Sequence, residues 1–233
     1  MRLFKCSFWA VVVFLFFLAQ GAVLAAEGTD APRSDPDVDF HWAFAAMSSV
    51  NGKTAVQAVT QDMALKSGDQ LKMMVEPRKK CFVYLFHHNP KDGLKLLFPY
   101  TLQQFEMDYQ VNRKYYIPRG EAWFKLDKNT GQETFYLVAS AARLDDLEKD
   151  YVRYESAGPA DKPDAGRAVL DRIRALRREH REFTAPAERP VPIGGAVRGV
   201  QPVEDPARAD VAALAGEIAS TGFIARTYTI EHK

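Results

Sequence analysis

The sequence is short of cysteine, of net charge and of any catalytic signature, and each shortage excludes something. Two cysteines occur in 233 residues, Cys6 and Cys81. Cys6 precedes a long apolar run, so a domain folded beyond that run holds Cys81 alone, forms no intrachain disulfide and relies on an apolar core. A composition of 47% hydrophobic residues allows such a core. Cys6 also lies on the wrong side of the run to serve as a lipid-attachment cysteine. Basic and acidic residues number 31 and 30; removing Arg2 and Lys5 from the basic set leaves 29 against 30. A chain so balanced has no strongly basic face with which to displace counterions from nucleic acid. No Gly-x-Ser-x-Gly elbow, phosphate loop, dinucleotide fingerprint or zinc-protease motif occurs, so no cofactor is expected.

The first residues read as an export signal. Arg2 and Lys5 form a basic start, Phe8 to Leu18 an unbroken apolar run, and Ala22 to Ala26 supply small side chains before Glu27. Cleavage is expected after Ala25 or Ala26, which makes residues 1–26 a signal peptide and the mature protein periplasmic, or else secreted or surface-exposed. Counted from Phe8 to Leu24 the stretch also approaches the length that spans a bilayer, and retention would leave an inner-membrane anchor. Residues 27–37, rich in Pro, Asp and small polar side chains, read as a flexible leader.

Residues 38–155 read as a β-rich domain, in which the chain from about Phe40 to Ser140 has the pattern of short strands. Turn chemistry recurs at Asn51-Gly52, Ser67-Gly68-Asp69, Asn89 to Gly93 and Asp127 to Gly131, and Asn-Gly between extended runs predicts a hairpin. Leu71, Met73 and Val75 alternate with Gln70, Lys72 and Glu76, which predicts a strand with one wet face. Cys81 to Phe86 is apolar on both faces and predicts a central, doubly covered strand. Ala122, Phe124 and Leu126 alternate as another strand, as do Phe135, Leu137 and Ala139. After Ser140 the period becomes helical: Leu144, Leu147 and Tyr151 mark one helix, and Val169, Leu170, Ile173 and Leu176 a second, Arg-rich one. A Pro- and Gly-bearing loop, Ala185 to Pro206, leads to an Ala-rich helix around Val211 to Ala219, and Phe223 to Ile230 reads as a closing strand. The expected fold is mainly β with helices, α+β in class. It has an antiparallel sandwich-like core, with residues 156–233 as a helical extension whose terminal strand packs on the same domain.

Candidate chemistry is sparse. Cys81 with His87 and His88 suggests a thiol-imidazole pair, but Cys81 shares a strand face with Val83 and Leu85, which predicts an inert buried thiol. His87 and His88 point to opposite sides of an extended segment, and His41, His180 and His232 are scattered, so surface imidazoles are expected and no metal. Glu106, Asp108, Glu121, Asp127 and Glu133 are among the carboxylates suited to acid-base work, and a hydrolase would draw its pair from the first four. Asp69 is expected to close a turn. Gly194-Gly195 with Arg189 and Arg198 is read as a structural loop rather than an anion cradle. The segment Thr101 to Tyr116 is longer than a hairpin loop and carries Phe105, Tyr109, Arg113, Tyr115 and Tyr116, with Trp123 nearby. Tyrosine faces on a long loop suit contact with a protein, peptide or glycan. The same rings folded down as a lid over the sandwich edge are the alternative.

The series Leu65-Lys-Ser-Gly-Asp69, Phe82-Val-Tyr-Leu-Phe86, Leu97-Phe-Pro99, Tyr116-Ile-Pro118 with Gly120, and Gly131 to Ser140 resembles the bacterial domain-of-unknown-function family numbered 4384, over roughly Thr60 to Leu147. The resemblance implies an exported β-rich module, joined in some architectures to signalling or protease-like domains. It implies no catalytic residues. Together these readings lead us to expect a non-enzymatic binding or assembly module of the cell envelope. A hydrolase or a subunit that oligomerises through sheet edges are the alternatives.

Overall fold

In the computed structural model, residues 35–50, 53–180, 201–202 and 210–233 are described. The proposed export segment, most of the leader, the Asn51-Gly52 turn and the Gly194-Gly195 loop lie outside them. Two sheets stack face to face, and helices cover the far side of one. The first sheet contains β1 (Val38–Val50), β2 (Lys53–Ala58), β4 (Gln70–Pro77), β7 (Tyr115–Ile117), β8 (Phe124–Lys125), β10 (Gln201–Pro202) and β11 (Gly216–Ser220). Its path runs β10-β2-β1-β4-β7, with β11 added to β1 and β8 to β4. The second runs β3 (Met63–Leu65), β12 (Phe223–His232), β9 (Gly131–Ser140), β5 (Phe82–Asn89) and β6 (Gly93–Phe98). All pairs are antiparallel except β3 with β12. A short α1 (Gln104–Met107) follows β6; α2 (Asp145–Ser156) and α3 (Lys162–Glu179) follow β9. The fold is therefore mainly β, α+β in class.

Strand alternation assigns each side chain its layer. From β1, Val38, Phe40, Trp42, Phe44 and Ala46 point between the sheets, where they meet Leu71, Met73 and Val75 of β4, Cys81 just before β5, Val83 and Leu85 of β5, and Phe135 and Leu137 of β9. Phe44 sits edge-on to Phe135 at 5.0 Å and to Tyr228 at 5.5 Å. Tyr84 and Phe86, on the other face of β5, pack with Leu147, Val169, Leu170 and Ile173 of the helices. The double covering predicted for Cys81 to Phe86 is thus met, and Cys81 is buried among the apolar residues that share its phase. β12 pairs with β9 along its whole length, which makes the closing strand integral to the second sheet.

Three expectations are corrected. The outer face of β4 is not wet: Lys72 is 5% exposed and Met74 fully buried, because Tyr116, Trp123, Val211 and Leu214 cover them. The segment around Val211 is a single 3-10 turn, Val211–Leu214, capped by the Asp210 side chain, and Gly216–Ser220 is strand. That strand pairs with Val38 to Trp42, the stretch of β1 that β2 leaves free, and the pairing outweighs the helical preference of its alanines. Of Ala122 to Leu126 only Phe124–Lys125 pairs, opposite Gln70 and Leu71.

Candidate functional site

The long segment after β6 has a definite structural task. β6 is the edge of one sheet and β7 the edge of the other, so Pro99 to Lys114 crosses from sheet to sheet and seals the gap. Tyr109 and Tyr115 stack at 5.7 Å with ring planes 10° apart, and Phe98 packs on both at 6.1 and 5.4 Å. The Tyr115 hydroxyl accepts the Gln110 N–H at 2.7 Å and donates to the Asp108 carbonyl at 3.1 Å. Burial holds the Tyr109 phenol well above its usual pKa. Gln104 Oε1 accepts the Tyr100 N–H at 2.8 Å, the Tyr100 hydroxyl donates to the Tyr116 carbonyl at 2.6 Å, and Asn112, at φ 63°, donates its N–H to the Pro77 carbonyl.

The six residues singled out from sequence consequently divide among three layers. Tyr109 and Tyr115 belong to the core between the sheets. Phe105 lies on the helix side, edge-on to Phe82, Tyr84 and Tyr109 at 5.0–5.2 Å, with the Arg143 guanidinium over its ring. Tyr116 and Trp123 flank the buried Lys72 ammonium on the outer face of the first sheet, at 5.5 and 5.7 Å, while Lys72 donates to the Gly120 carbonyl at 2.6 Å. Burial lowers the Lys72 pKa, partly offset by Glu121. Only Arg113 is largely exposed; it pairs with Asp108 and lies over Tyr115. The crossing turns mostly polar and charged residues outward, and two apolar side chains stand exposed among them: Met107 at 82% and Val111 at 42%.

The four carboxylates from which a hydrolase would draw its pair are engaged separately. Glu106 pairs with Arg143 at 2.5 Å, Asp108 with Arg113, Glu121 faces Lys72, and Asp127 closes the turn at Asn129. Asp69 closes its own turn by accepting the Lys66 N–H at 2.9 Å, as predicted.

A second polar cluster was not anticipated. His87, Glu133 and His232 fall in the inward phase of three adjacent strands, β5, β9 and β12, and meet at one end of the sandwich. Glu133 takes His87 Nε2 at 2.5 Å and Asn89 Nδ2 at 2.6 Å, and His232 Nδ1 stands 3.9 Å from it. Burial raises the Glu133 pKa, but the bonds from His87 and Asn89 and the imidazole charges outweigh it and hold the carboxyl below its ordinary value. The expectation of free surface imidazoles is corrected here: His232 is 3% exposed, and its Nε2 meets Ser67 Oγ at 3.1 Å. The cluster floors a cleft of about 190 Å³ walled by Leu71, Leu97, Phe124 and Phe135. Ser67, His232 and Glu133 have the order of a nucleophile relay. Around Ser67, however, the N–H groups of residues 66 to 69 are already bonded to Asp69 Oδ2 and to the carbonyls of Lys233, Leu126 and Lys66, leaving none of them to stabilise an oxyanion. The arrangement instead ties the C-terminal strand to β3, with Lys233 donating to the Leu65 carbonyl and accepting from Ser67. The available signal was polar residues in phase with Phe135, Leu85 and Ile230. Among the described residues no group of three or more His, Cys, Asp or Glu is placed to hold a metal ion.

The chain is thus a two-sheet β sandwich flanked by helices, with a sheet-crossing loop and a polar cleft at one end. Within it, residues 64–143 match the family described as "Domain of unknown function (DUF4384)", the family that the motif series resembles. The matched stretch runs from β3 through β9 and the crossing loop, and leaves out β1, the helices α2 and α3, and β12. No curated protein matches the chain.

Proposed function

We propose that this protein is an exported binding module of the bacterial cell envelope that contacts a protein partner through the outer surface of the sheet-crossing loop. The observation that carries the reading is the loop's division of labour. Its rings face inward and anchor the backbone, while Met107 at the end of α1 and Val111 four residues on stay exposed among polar neighbours. Apolar side chains on an anchored backbone with a polar surround form a small contact point that loses little entropy on binding, and a methionine side chain adapts to irregular protein surfaces. A glycan would call for flat, exposed aromatic faces, and the faces of Tyr109 and Tyr115 are spent on each other and on the core. Export is supported by the basic, apolar and small-residue order of Arg2 to Ala26.

The test is site-specific photocrosslinking in cells, with a photoreactive residue at Met107 and, as control, at Val152, an exposed apolar residue of α2. A discrete protein adduct from position 107 and none from position 152 is expected. Equal adducts from both, or none from 107, would overturn the reading. Fractionation of the same cells places the adduct inside or outside the cytoplasm and tests export.

A further inference from the structure

β12 has two edges, and only one is fully paired. Toward β9 all ten residues from Phe223 to His232 are in register. On the other side β3 covers only Ile230 to His232. The odd-numbered residues turn their N–H and C=O groups to that side: Lys233 donates to the Leu65 carbonyl, and the Thr229 N–H is taken by Asp62 Oδ1 at 2.8 Å. By strand alternation Ala225 and Thr227 present their N–H and C=O the same way, and among the described residues nothing pairs with them. An open strand edge of this kind is a template for another strand.

The space beside the edge is strongly basic. A groove of about 420 Å³ is lined by Arg174, Arg177, Arg178 and His180 of the α3 end and by Phe223, Ile224 and Ala225 of β12. Arg177 Nη1 donates to Thr227 Oγ1 at 3.2 Å, and the His180 ring stacks on Phe223 at 4.4 Å, so α3 lies along the helix-side face of the edge. Asp171 pairs with Arg174; among the described residues Arg177 and Arg178 have no carboxylate partner.

We infer that the open edge of β12 accepts an extended acidic peptide segment of a partner protein as an additional strand, with carboxylates at every second position meeting Arg177 and Arg178. Main-chain bonds from Ala225 and Thr227 supply the pairing, and the pleat of the added strand directs alternate side chains onto the face where the arginines stand. This surface is distinct from the Met107 tip and stands or falls independently of it.

The test uses a nine-residue peptide alternating Glu and Val, with a Lys and Val peptide of the same pattern as control. Binding is followed by fluorescence anisotropy on the protein carrying residues 27–233, and amide hydrogen exchange is read in the same samples. The expected result is binding of the Glu peptide alone, with new protection at Ala225 and Thr227. The double variant Arg177→Glu, Arg178→Glu is expected to weaken binding by about tenfold or more, since each exposed ion pair contributes modestly. A second variant, Ala225→Pro, removes only an outward N–H, leaves the β9 ladder intact and is expected to abolish the protection. Equal binding of both peptides, or binding without protection at these two amides, would overturn the inference. So would protection already present in the dilute free protein, or protection rising with protein concentration alone, which would mark the chain itself or a second copy as the occupant.

Discussion

The hydroxyl of Tyr154 on α2 accepts the backbone N–H of Leu94 at 2.9 Å, capping a donor on the outer edge of β6. Tyr151 does the same for Leu96 at 3.2 Å. β6 ends its sheet, so these outward N–H groups would otherwise invite another strand. Replacing both tyrosines with Phe keeps the rings in the helix-side core and removes only the acceptors. The double variant is expected to lose about 1–3 kcal/mol for each group left unsatisfied, read from urea unfolding. It is also expected to self-associate, with a mass in light scattering that rises with concentration. Unchanged stability and mass would show that solvent satisfies this edge equally well.

Gly93 explains why the cap can sit so close. Its φ is +80°, and a Cβ there would lie 2.7 Å from the Tyr154 hydroxyl. Gly93→Ala therefore suffers both backbone strain and displacement of the cap. We expect the cost of Gly93→Ala to fall in a Tyr154→Phe background, because one component has already been removed; a double-mutant cycle measures the difference. Strict additivity would confine the effect to the backbone.

Glu133 makes stability depend on acid. Its folded-state pKa lies below the ordinary carboxylate value, so between those two values the unfolded chain binds the extra proton. The contribution is complete above about pH 5 and is lost as pH falls through the folded value. Comparison of Glu133→Gln with the parent across pH 3–7 is expected to show the largest difference in Tm at neutral pH and convergence in acid. A gap of constant size would mean that the carboxylate charge is irrelevant to the cluster.

Cys81 reports on the packing between the sheets. The thiol lies beside the Asp39 carbonyl at 3.8 Å, and burial pushes its pKa up, so the native protein holds little thiolate. Labelling by a thiol reagent at pH 8 is expected to be slow in buffer and fast in denaturant. Rapid native labelling would mean that this end of β5 opens readily.

What could be read from sequence followed from period. The two apolar faces of Cys81 to Phe86 announce a strand covered twice, and the hairpin turns announce antiparallel neighbours. The fate of Lys72 was not legible, because its phase on β4 is that of a solvated residue until Trp123 and Tyr116, more than forty residues away, close over it. The Glu133 cluster was hidden for a related reason. Its members lie at 67, 87, 89, 133 and 232, and only the strand order β12-β9-β5 makes them neighbours. The aromatic loop was found by composition, but composition does not say which way a ring points. That depends on β6 and β7 being edges of different sheets.

The loop's two sets of residues should therefore respond in opposite ways to substitution. Tyr109 is partly buried and packed against Phe98, Phe105 and Tyr115, and truncating an aromatic at such a site costs up to about 3–5 kcal/mol. Tyr109→Ala is expected to lower stability by an amount in that range and to loosen the seal between β6 and β7, seen as faster hydrogen exchange at Tyr115 to Ile117. Met107→Ser and Val111→Ser alter exposed side chains and should leave stability within about 0.5 kcal/mol. If the tip contacts a partner, these two variants lose the adduct while retaining the fold. A loss of stability from Met107→Ser, or an unaltered adduct in the double variant, would remove the distinction between anchor and contact on which the proposed function rests.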